Sequence, residues 1–216
     1  MKLFIWDLHG TLEEGNERAV IVLSNQVLRR FGYSQRFGEQ HIRDLYGLKW
    51  YQYFESLLPN VDHQLHLQLQ SACFELSNSL DGIKTISRHM RPSLHSLEVL
   101  EAIDMRHKQV LISNTVPESI PIFVEALGMD SYFDRTNAFA VDNHSNESRR
   151  SKLDVLTEYV KDKTFDDYVV IGDSESDMIL AEAIRGKGYL YAHSGLAHRS
   201  IKGVPINDLS EILVEV

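Results

Sequence analysis

The stretch that decides the fold lies near the start of the chain and has the sequence LFIWDLHGTL at residues 3–12. Its first four residues form a continuous apolar run, which predicts a strand covered on both faces of a sheet. The Gly10-Thr11 pair predicts a sharp turn that leaves this strand. Asp7 is therefore expected at the carboxyl end of a strand, where open α/β sheets carry their chemistry, although an Asp there also commonly caps the following helix.

After residue 107 the chain alternates short apolar runs with amphipathic segments. The apolar runs predict strands at residues 108–113, 136–140, 168–172 and 188–192. The other segments predict helices at 117–127, 152–161, 177–185 and 207–214, and a polar loop at 141–150. Strands that alternate with helices indicate βαβ units, so the expected fold class is α/β, with a Rossmann-like parallel sheet core flanked by helices.

The part of the chain between the first strand and residue 107 carries only helical patterns. They predict helices at residues 17–31, 62–80 and 93–105 and mixed helix and loop at 39–58, with no strand between about 13 and 90. The sequence therefore predicts an α/β core domain made of residues 1–13 and 91–216. An all-helical domain at residues 14–90 is inserted after the first strand.

The composition of the 216 residues is that of an ordinary soluble globular protein, with 43% hydrophobic and 25% charged residues. The net charge of −9 disfavours a nucleic-acid polymer or an anionic membrane as a partner, because both need a basic surface. A single cysteine, Cys73, suits a reducing compartment. Without a signal peptide or an apolar run of about 18 residues, a cytoplasmic setting is expected. The sequence carries no signal for an oligomeric state.

Polar residues stand where the later strands end. Ser113 and Asn114 follow one strand, and Asp173 follows another. Because carboxyl ends of parallel strands share an edge, Asp7, Ser113 and Asp173 are expected to meet there. Ser113 also has a structural alternative, which is to satisfy a turn.

Two helix starts also carry polar residues of interest. Ser174 and Asp177 match the Ser-x-x-acid capping pattern, which explains Asp177 without any function. Lys152 occupies the first turn of another helix, where a cation opposes the helix dipole. A cation at this position does not stabilise its own helix, which indicates that Lys152 has an anionic partner.

Taken together, these residues resemble the four motifs of the haloacid dehalogenase-like hydrolase superfamily. The first motif of its phosphatases, Asp-x-Asp-Gly-Thr, is matched by DLHGT at residues 7–11, and the second, a Ser or Thr after an apolar strand, by Ser113. The third, a Lys at a helix start, is matched by Lys152, and the fourth, Gly-Asp-x-x-x-Asp, by GDSESD at residues 172–177. The helical insert resembles the cap domain of this family.

The resemblance implies a Mg²⁺-dependent hydrolase of small phosphorylated metabolites, a phosphomonoesterase. Asp7 would attack phosphorus and form an aspartyl-phosphate, while Ser113, Asn114 and Lys152 would bind the phosphoryl group. The direct metal ligands implied are Asp7, the backbone carbonyl of His9 and Asp173, and the resemblance implies that Asp177 acts on the metal indirectly. Lys49, in the middle loop of the insert, is a candidate for substrate binding.

His9 departs from the family pattern, since the phosphatases carry a second Asp there as general acid and base. Three alternatives follow. His9 can itself do the acid–base work, because imidazole titrates near neutral pH. The protein can act only on substrates with good leaving groups, or on a different bond. It can also have lost catalysis and serve as a binding or regulatory protein, although Asp7, Lys152 and Asp173 argue against this.

Overall fold

The computed structural model describes residues 1–45, 48–141, 150–193 and 195–216. The chain divides into two compact units, one formed by Met1–Glu14 with Met90–Val216 and the other by Gly15–His89. The loop expected at 141–150 lies outside the described residues between 142 and 149.

The first unit contains a six-stranded parallel sheet. Its strands are β1 Leu3–Trp6, β4 Lys108–Ser113, β5 Ala138–Ala140, β6 Tyr168–Gly172, β7 Lys187–Tyr191 and β8 Val204–Ile206. They lie in the order β5-β4-β1-β6-β7-β8 across the sheet. The predicted α/β sheet is confirmed. The strand β8 was not expected from the sequence, because three residues centred on Pro205 give little strand signal. Such a strand is tolerated at the edge of a sheet, where β8 lies.

Helices alternate with the strands of this sheet, as the sequence predicts. They are α6 Ser96–Asp104, α7 Ser119–Ala126, α8 Lys152–Val160, α9 Glu175–Ala183 and a closing 3₁₀ helix, Leu209–Glu215. All four residues of β1 are buried, and Trp6 donates from its indole Nε1 to Gln109 Oε1 at 3.0 Å inside the core. A strand buried on both faces requires the continuous apolar run seen in the sequence.

A small two-stranded sheet lies in the first unit at the points where the chain leaves and re-enters it. Its strands are β2 Glu13–Glu14 and β3 Arg91–Pro92, which pair in antiparallel fashion. The prediction of no strand between about residues 13 and 90 is therefore wrong at β2, because two residues are too few to form a recognisable pattern.

Helices are the regular secondary structure found among the described residues of the second unit. It contains α1 Asn16–Arg30, α2 Gln40–Asp44, α3 Trp50–Leu57, α4 His63–Ser77 and α5 Leu80–His89. The helix α5 was not expected, because Gly82 in its first turns lowers helix propensity. A Cβ atom at Gly82 would collide with the carbonyl oxygen of Leu76, so the close approach of α5 to the end of α4 requires glycine. No described helix in either unit has the length and apolar character that crossing a membrane requires.

Candidate active site

Adjacent parallel strands deliver the two central acids to one edge of the sheet. Trp6 of β1 pairs with Ile171 of β6, and the backbone N–H of Asp7 donates to the Ile171 carbonyl at 2.9 Å. Asp7 and Asp173 therefore leave neighbouring strands side by side. Ser113 ends β4, the strand on the other side of β1.

Asp177 joins these two acids from the first turn of α9. Carboxylate oxygens of Asp7, Asp173 and Asp177 lie within 4.8 Å of one another, and the three residues are 8%, 5% and 2% exposed. A Cβ atom at Gly172 would overlap the side chain of Asp177, so the glycine of the Gly-Asp-x-x-x-Asp motif makes room for this approach. Asp177 also accepts hydrogen bonds from the N–H and hydroxyl of Ser174, so the capping alternative is realised as well.

The ammonium of Lys152 lies between two of the carboxylates. Its Nζ donates to Oδ1 of Asp7 and to Oδ1 of Asp177, both at 2.7 Å, and only 8% of the side chain is exposed. A reciprocal capping box between Ser151 and Asp154 stabilises the start of α8, which offsets the unfavourable position of a cation there. The anionic partners that the sequence indicated for Lys152 thus include the two acids themselves.

A second cation reaches the acid cluster from the segment after β7. Arg199 donates from Nη1 to Oδ2 of Asp173 at 2.7 Å. Sequence reasoning missed Arg199, because it lies in a polar connection that contains no motif. Among the described residues, two cations, Lys152 and Arg199, pair with the three buried carboxylates.

The pKa values of this cluster reflect its crowding. Burial, together with the charges of Asp177 and Asp173, raises the pKa of Asp7 from 3.8 to about 7, against the lowering influence of Lys152. Burial alone would lower the pKa of Lys152, but the charges of Asp177 and Asp7 outweigh it and raise that pKa. The ammonium is therefore firmly charged, whereas the Asp7 carboxylate is destabilised.

His9 forms a pair with a buried acid that the sequence did not single out. Its Nδ1 lies 2.9 Å from Oε1 of Glu13, and Glu13 is completely buried. The imidazole also meets the ring of Phe123 edge-on, with 5.4 Å between the ring centres. Burial lowers the pKa of His9, but the hydrogen bond and charge of Glu13, with the charges of Asp7 and Asp173, raise it overall.

Two buried hydroxyl groups belong to the motifs and have no hydrogen-bond partner among the described residues. Ser113 and Thr11 are fully buried, and their oxygens accept or donate no hydrogen bond within the described part of the chain. Buried polar atoms are normally hydrogen-bonded, so such orphaned groups indicate a ligand or water that supplies the bond. Asn114, the next residue after Ser113, is exposed.

The remaining candidate, Lys49, belongs to the helical unit. It precedes α3, it is exposed, and its backbone N–H donates to Oε1 of Gln52 at 2.8 Å.

A cavity of about 820 Å³ lies against β5 in the first unit, and none of the predicted site residues lines it. The structure thus groups Asp7, Lys152, Asp173 and Asp177 directly, with Ser113 and His9 at the same edge.

The donor atoms of this cluster fit a hard divalent cation. The three side chains of Asp7, Asp173 and Asp177 offer oxygen atoms alone, which Mg²⁺ prefers over nitrogen and sulfur ligands. A divalent cation would also relieve the mutual repulsion that raises the pKa of Asp7.

Comparisons with known proteins agree with this geometry. A family model described as haloacid dehalogenase-like hydrolase matches residues 1–185. No curated protein matches the sequence significantly.

Several solved structures share the fold at low identity. A predicted phosphatase from Clostridium acetobutylicum is 16% identical, with a TM-score of 0.69 over 100% of this chain and 99% of its own. A subfamily IA hydrolase of the same superfamily from Geobacter sulfurreducens is 18% identical, with a TM-score of 0.68 over 100% and 96%. CbbY from Rhodobacter sphaeroides in complex with phosphate is 13% identical, with a TM-score of 0.67 over 97% and 95%.

Proposed function

The chain belongs to the haloacid dehalogenase-like hydrolase family, and on this premise we propose that it is a Mg²⁺-dependent hydrolase of small phosphorylated metabolites. The observation that carries the proposal is the buried group of Asp7, Asp173 and Asp177, in which the ammonium of Lys152 pairs with Asp7 and Asp177. Buried like charges are costly, and strongly shifted pKa values concentrate at functional sites. A phosphatase site would use such a cluster for the nucleophile and for the metal ligands.

Asp7 is the nucleophile in this proposal. One of its carboxylate oxygens attacks phosphorus, the bond from phosphorus to the leaving oxygen breaks, and an aspartyl-phosphate forms. Water then attacks the same phosphorus, which releases inorganic phosphate and restores the Asp7 carboxylate. The 2.7 Å contact with Lys152 supports this role, because a nearby cation favours the ionised form of Asp7.

His9 is the general acid and base. As an imidazolium it gives a proton to the leaving oxygen, and as a neutral imidazole it accepts one from the attacking water. Its place two residues after Asp7 supports this role, and so does a pKa raised by Glu13 against the effect of burial. The raised pKa favours the protonated form that the first step needs.

Ser113, Asn114 and Lys152 bind the phosphoryl group. A phosphoryl oxygen would supply the hydrogen bond that the buried hydroxyl of Ser113 lacks among the described residues. The ammonium of Lys152 offsets the negative charge of the transferring group.

Mg²⁺ would be held by Asp7, the backbone carbonyl of His9 and Asp173, with Asp177 acting on this site through Lys152 or water. When bound, the ion neutralises carboxylate and phosphoryl oxygens and fixes their positions. Metal binding by the backbone carbonyl of His9 would not depend on the role of the His9 side chain.

Specificity is assigned to the helical unit Gly15–His89, which we interpret as a cap, with Lys49 as a substrate-binding residue. The net charge of −9 and the single cysteine favour a small anionic substrate and a cytoplasmic setting over a nucleic-acid polymer or a membrane.

The replacement of the usual Asp by His9 supports a second candidate function. A protein without an effective general acid would bind phosphorylated ligands without hydrolysing them, or would act on a different bond. The difference from the first proposal lies in turnover, since both predict phosphate binding at Asp7, Ser113 and Lys152.

The test is a hydrolysis screen of the purified full chain with Mg²⁺, using p-nitrophenyl phosphate and a panel of phosphorylated metabolites. We expect phosphate release that Asp7→Asn abolishes. Absence of release from every compound, together with measurable binding of inorganic phosphate by calorimetry, would overturn the phosphatase proposal in favour of the binding protein.

A further inference from the structure

We infer that Glu13 is a positioning residue for His9, which holds the imidazole in the tautomer and orientation that proton transfer requires. The inference rests on the proposed function, because it specifies how His9 takes the place of the usual Asp. It concerns a residue that lies outside all four sequence motifs.

The backbone brings these two side chains together. After β1 the chain turns at residues 8–12 so that the N–H of Glu13 donates to the carbonyl of Leu8 at 3.2 Å. Glu13 is then fixed in β2 by pairing with Pro92 of β3, and an isolated bridge links His9 and Glu13. The contact of 2.9 Å between Nδ1 and Oε1 thus rests on an ordered frame.

Glu13 is poorly explained as a purely structural residue. Its side chain is fully buried, like the neighbouring Leu8 and Leu12, and its Oε2 has no hydrogen-bond partner in the parts of the chain that the structure describes. A buried carboxylate is costly unless it is paired and fully hydrogen-bonded. An apolar side chain at position 13 would avoid this cost. The feature that an acid adds at this position is its contact with His9.

The contact decides which nitrogen of His9 is available for chemistry. A carboxylate only accepts hydrogen bonds, so Nδ1 carries a proton that it donates to Glu13. The lone pair of the neutral imidazole then lies on Nε2. Phe123 packs edge-on against the ring, so the imidazole is restrained by an aromatic contact as well as by Glu13.

The proton balance of the reaction closes with Glu13 ionised throughout. In the first step the Nε2 proton of the imidazolium passes to the leaving oxygen as the bond from that oxygen to phosphorus breaks. In the second step Nε2 takes a proton from water as the water oxygen bonds to phosphorus and the bond to Asp7 breaks. Glu13 keeps the Nδ1 proton in place while the imidazole is neutral between the two steps. It also stabilises the imidazolium that is present before the first step and forms again in the second.

The most direct test is ¹⁵N NMR of the histidine-labelled full chain with Mg²⁺ present, at a pH where His9 is neutral. We expect the proton of wild-type His9 on Nδ1, and we expect Glu13→Leu to move it to Nε2, the form that free imidazole favours. Glu13→Gln should keep the proton on Nδ1, because the amide oxygen still accepts. An unchanged tautomer in Glu13→Leu would overturn the inference.

Kinetics provide the second test, with leaving groups of different quality. Glu13→Leu should lower kcat for alkyl phosphates about 100-fold with little change in KM, and slow p-nitrophenyl phosphate much less, since its leaving group needs little protonation. In a His9→Ala background, Glu13→Leu should have no further effect, because the two residues act as a unit. Equal losses for both substrates in both backgrounds would show a merely structural role.

Controls separate this inference from the proposed function and from loss of folding. Asp208→Asn is a matched variant, because Asp208 pairs with His95 at 2.7 Å in the same unit away from the acid cluster, and it should leave all rates unchanged. If Glu13→Leu does not fold, Glu13→Gln should still slow alkyl phosphates more than p-nitrophenyl phosphate, because the amide keeps the tautomer but not the charge that stabilises the imidazolium. Equal slowing of the two substrates would overturn the inference. If the wild-type protein hydrolyses nothing, the proposed function fails while the NMR test still decides whether Glu13 sets the tautomer.

Discussion

The two ends of the parallel sheet carry charged clusters of opposite character. At the carboxyl end, three buried acids lie together, with Lys152 paired to Asp7 and Asp177 and Arg199 paired to Asp173. At the amino end, one acid, Glu215, lies 2.9 Å from Nζ of Lys2 and 2.5 Å from Nζ of Lys187, and it accepts the hydroxyl of Tyr189 at 2.7 Å. The first cluster has surplus negative charge, whereas the second has an acid fully matched by donors.

Their pKa shifts express this difference. Burial would raise the pKa of Glu215, but hydrogen bonds from Lys187, Lys2 and Tyr189 outweigh it and lower the pKa from 4.5 to about 2. Burial instead dominates at Asp7, whose pKa rises to about 7. The amino-end cluster therefore stabilises the fold, and the carboxyl-end cluster is kept at a cost in stability, as is common for sites that bind or react.

The largest expected difference between the two clusters is in activity. Asp7→Asn should lower phosphatase kcat by at least about 10⁴-fold, because it removes the nucleophile. The matched neutralisation Glu215→Gln should leave kcat within about twofold, since Glu215 lies at the opposite end of the sheet from the proposed nucleophile. Steady-state measurements of kcat for both variants test this difference. Comparable losses of kcat in the two variants would contradict the functional distinction between the two ends of the sheet.

Metal dependence should also be confined to the carboxyl end. EDTA should abolish hydrolysis and Mg²⁺ should restore it, because the three acids need a cation when phosphate binds. Asp173→Asn should raise the Mg²⁺ concentration for half-maximal rate at least about tenfold, as even indirect partners of a metal cost that much. Glu215→Gln should not change this concentration. Full activity in metal-free buffer would contradict the metal role of the cluster.

A smaller effect tests how the carboxyl end tolerates another acid. His9→Asp restores the usual residue of the family but places it next to the buried Glu13, where two carboxylates repel. The double variant His9→Asp/Glu13→Leu should therefore hydrolyse alkyl phosphates at least about tenfold faster than His9→Asp alone, which corresponds to one pKa unit of relieved repulsion. Equal rates of the two variants would show that Glu13 does not face position 9 during turnover.

The smallest effects concern stability, and they have opposite pH dependence at the two ends. In EDTA, the raised pKa of Asp7 means that the folded state retains a proton that the unfolded state loses, so stability falls as pH rises from 3.8 to about 7. Asp7→Asn removes this loss and should raise Tm at pH 8 by about 3 °C, or roughly 1 kcal/mol. Thermal unfolding at pH 5 and pH 8 measures the difference in Tm between Asp7→Asn and wild type. An equal difference at both pH values would contradict a raised pKa of Asp7.

Glu215 provides the opposite case. Its lowered pKa stabilises the folded state above pH 4.5, and this stabilisation is lost as pH falls towards 2. Glu215→Gln should therefore lower Tm near neutral pH by about 3 °C, a modest amount because Lys187 is half-exposed. The difference from wild type should disappear in acid, and a constant difference across the pH range would count against the pairing.

Much of the carboxyl end could be predicted from the sequence, because strand ends are encoded locally. Apolar runs before Asp7, Ser113 and Asp173 mark the strands, and a parallel sheet brings their ends to one edge. The glycine before Asp173 and the Ser-x-x-acid pattern that ends at Asp177 can likewise be recognised directly in the sequence. The roles of these residues in catalysis stay predictions.

The residues that sequence reasoning missed depend on contacts across turns and loops. Glu13 meets His9 through a turn without regular periodicity, so its burial could not be inferred from a pattern. Arg199 reaches Asp173 from a polar connection, and nothing in its neighbours distinguishes it from a solvated arginine. The missed helix α5 illustrates the same limit, since Gly82 is dictated by packing against Leu76 rather than by helix propensity.

Trapping the phosphorylated intermediate tests the central assignment most directly. Full-length protein turning over p-nitrophenyl phosphate with Mg²⁺ is quenched in acid, digested and mapped by mass spectrometry. The proposal predicts one phosphoryl group on Asp7, labile to hydroxylamine as an acyl phosphate is, and absent from Asp7→Asn. Hydrolysis with the phosphoryl group on His9 instead, or turnover that leaves Asp7 unmodified at every quench time, would contradict it.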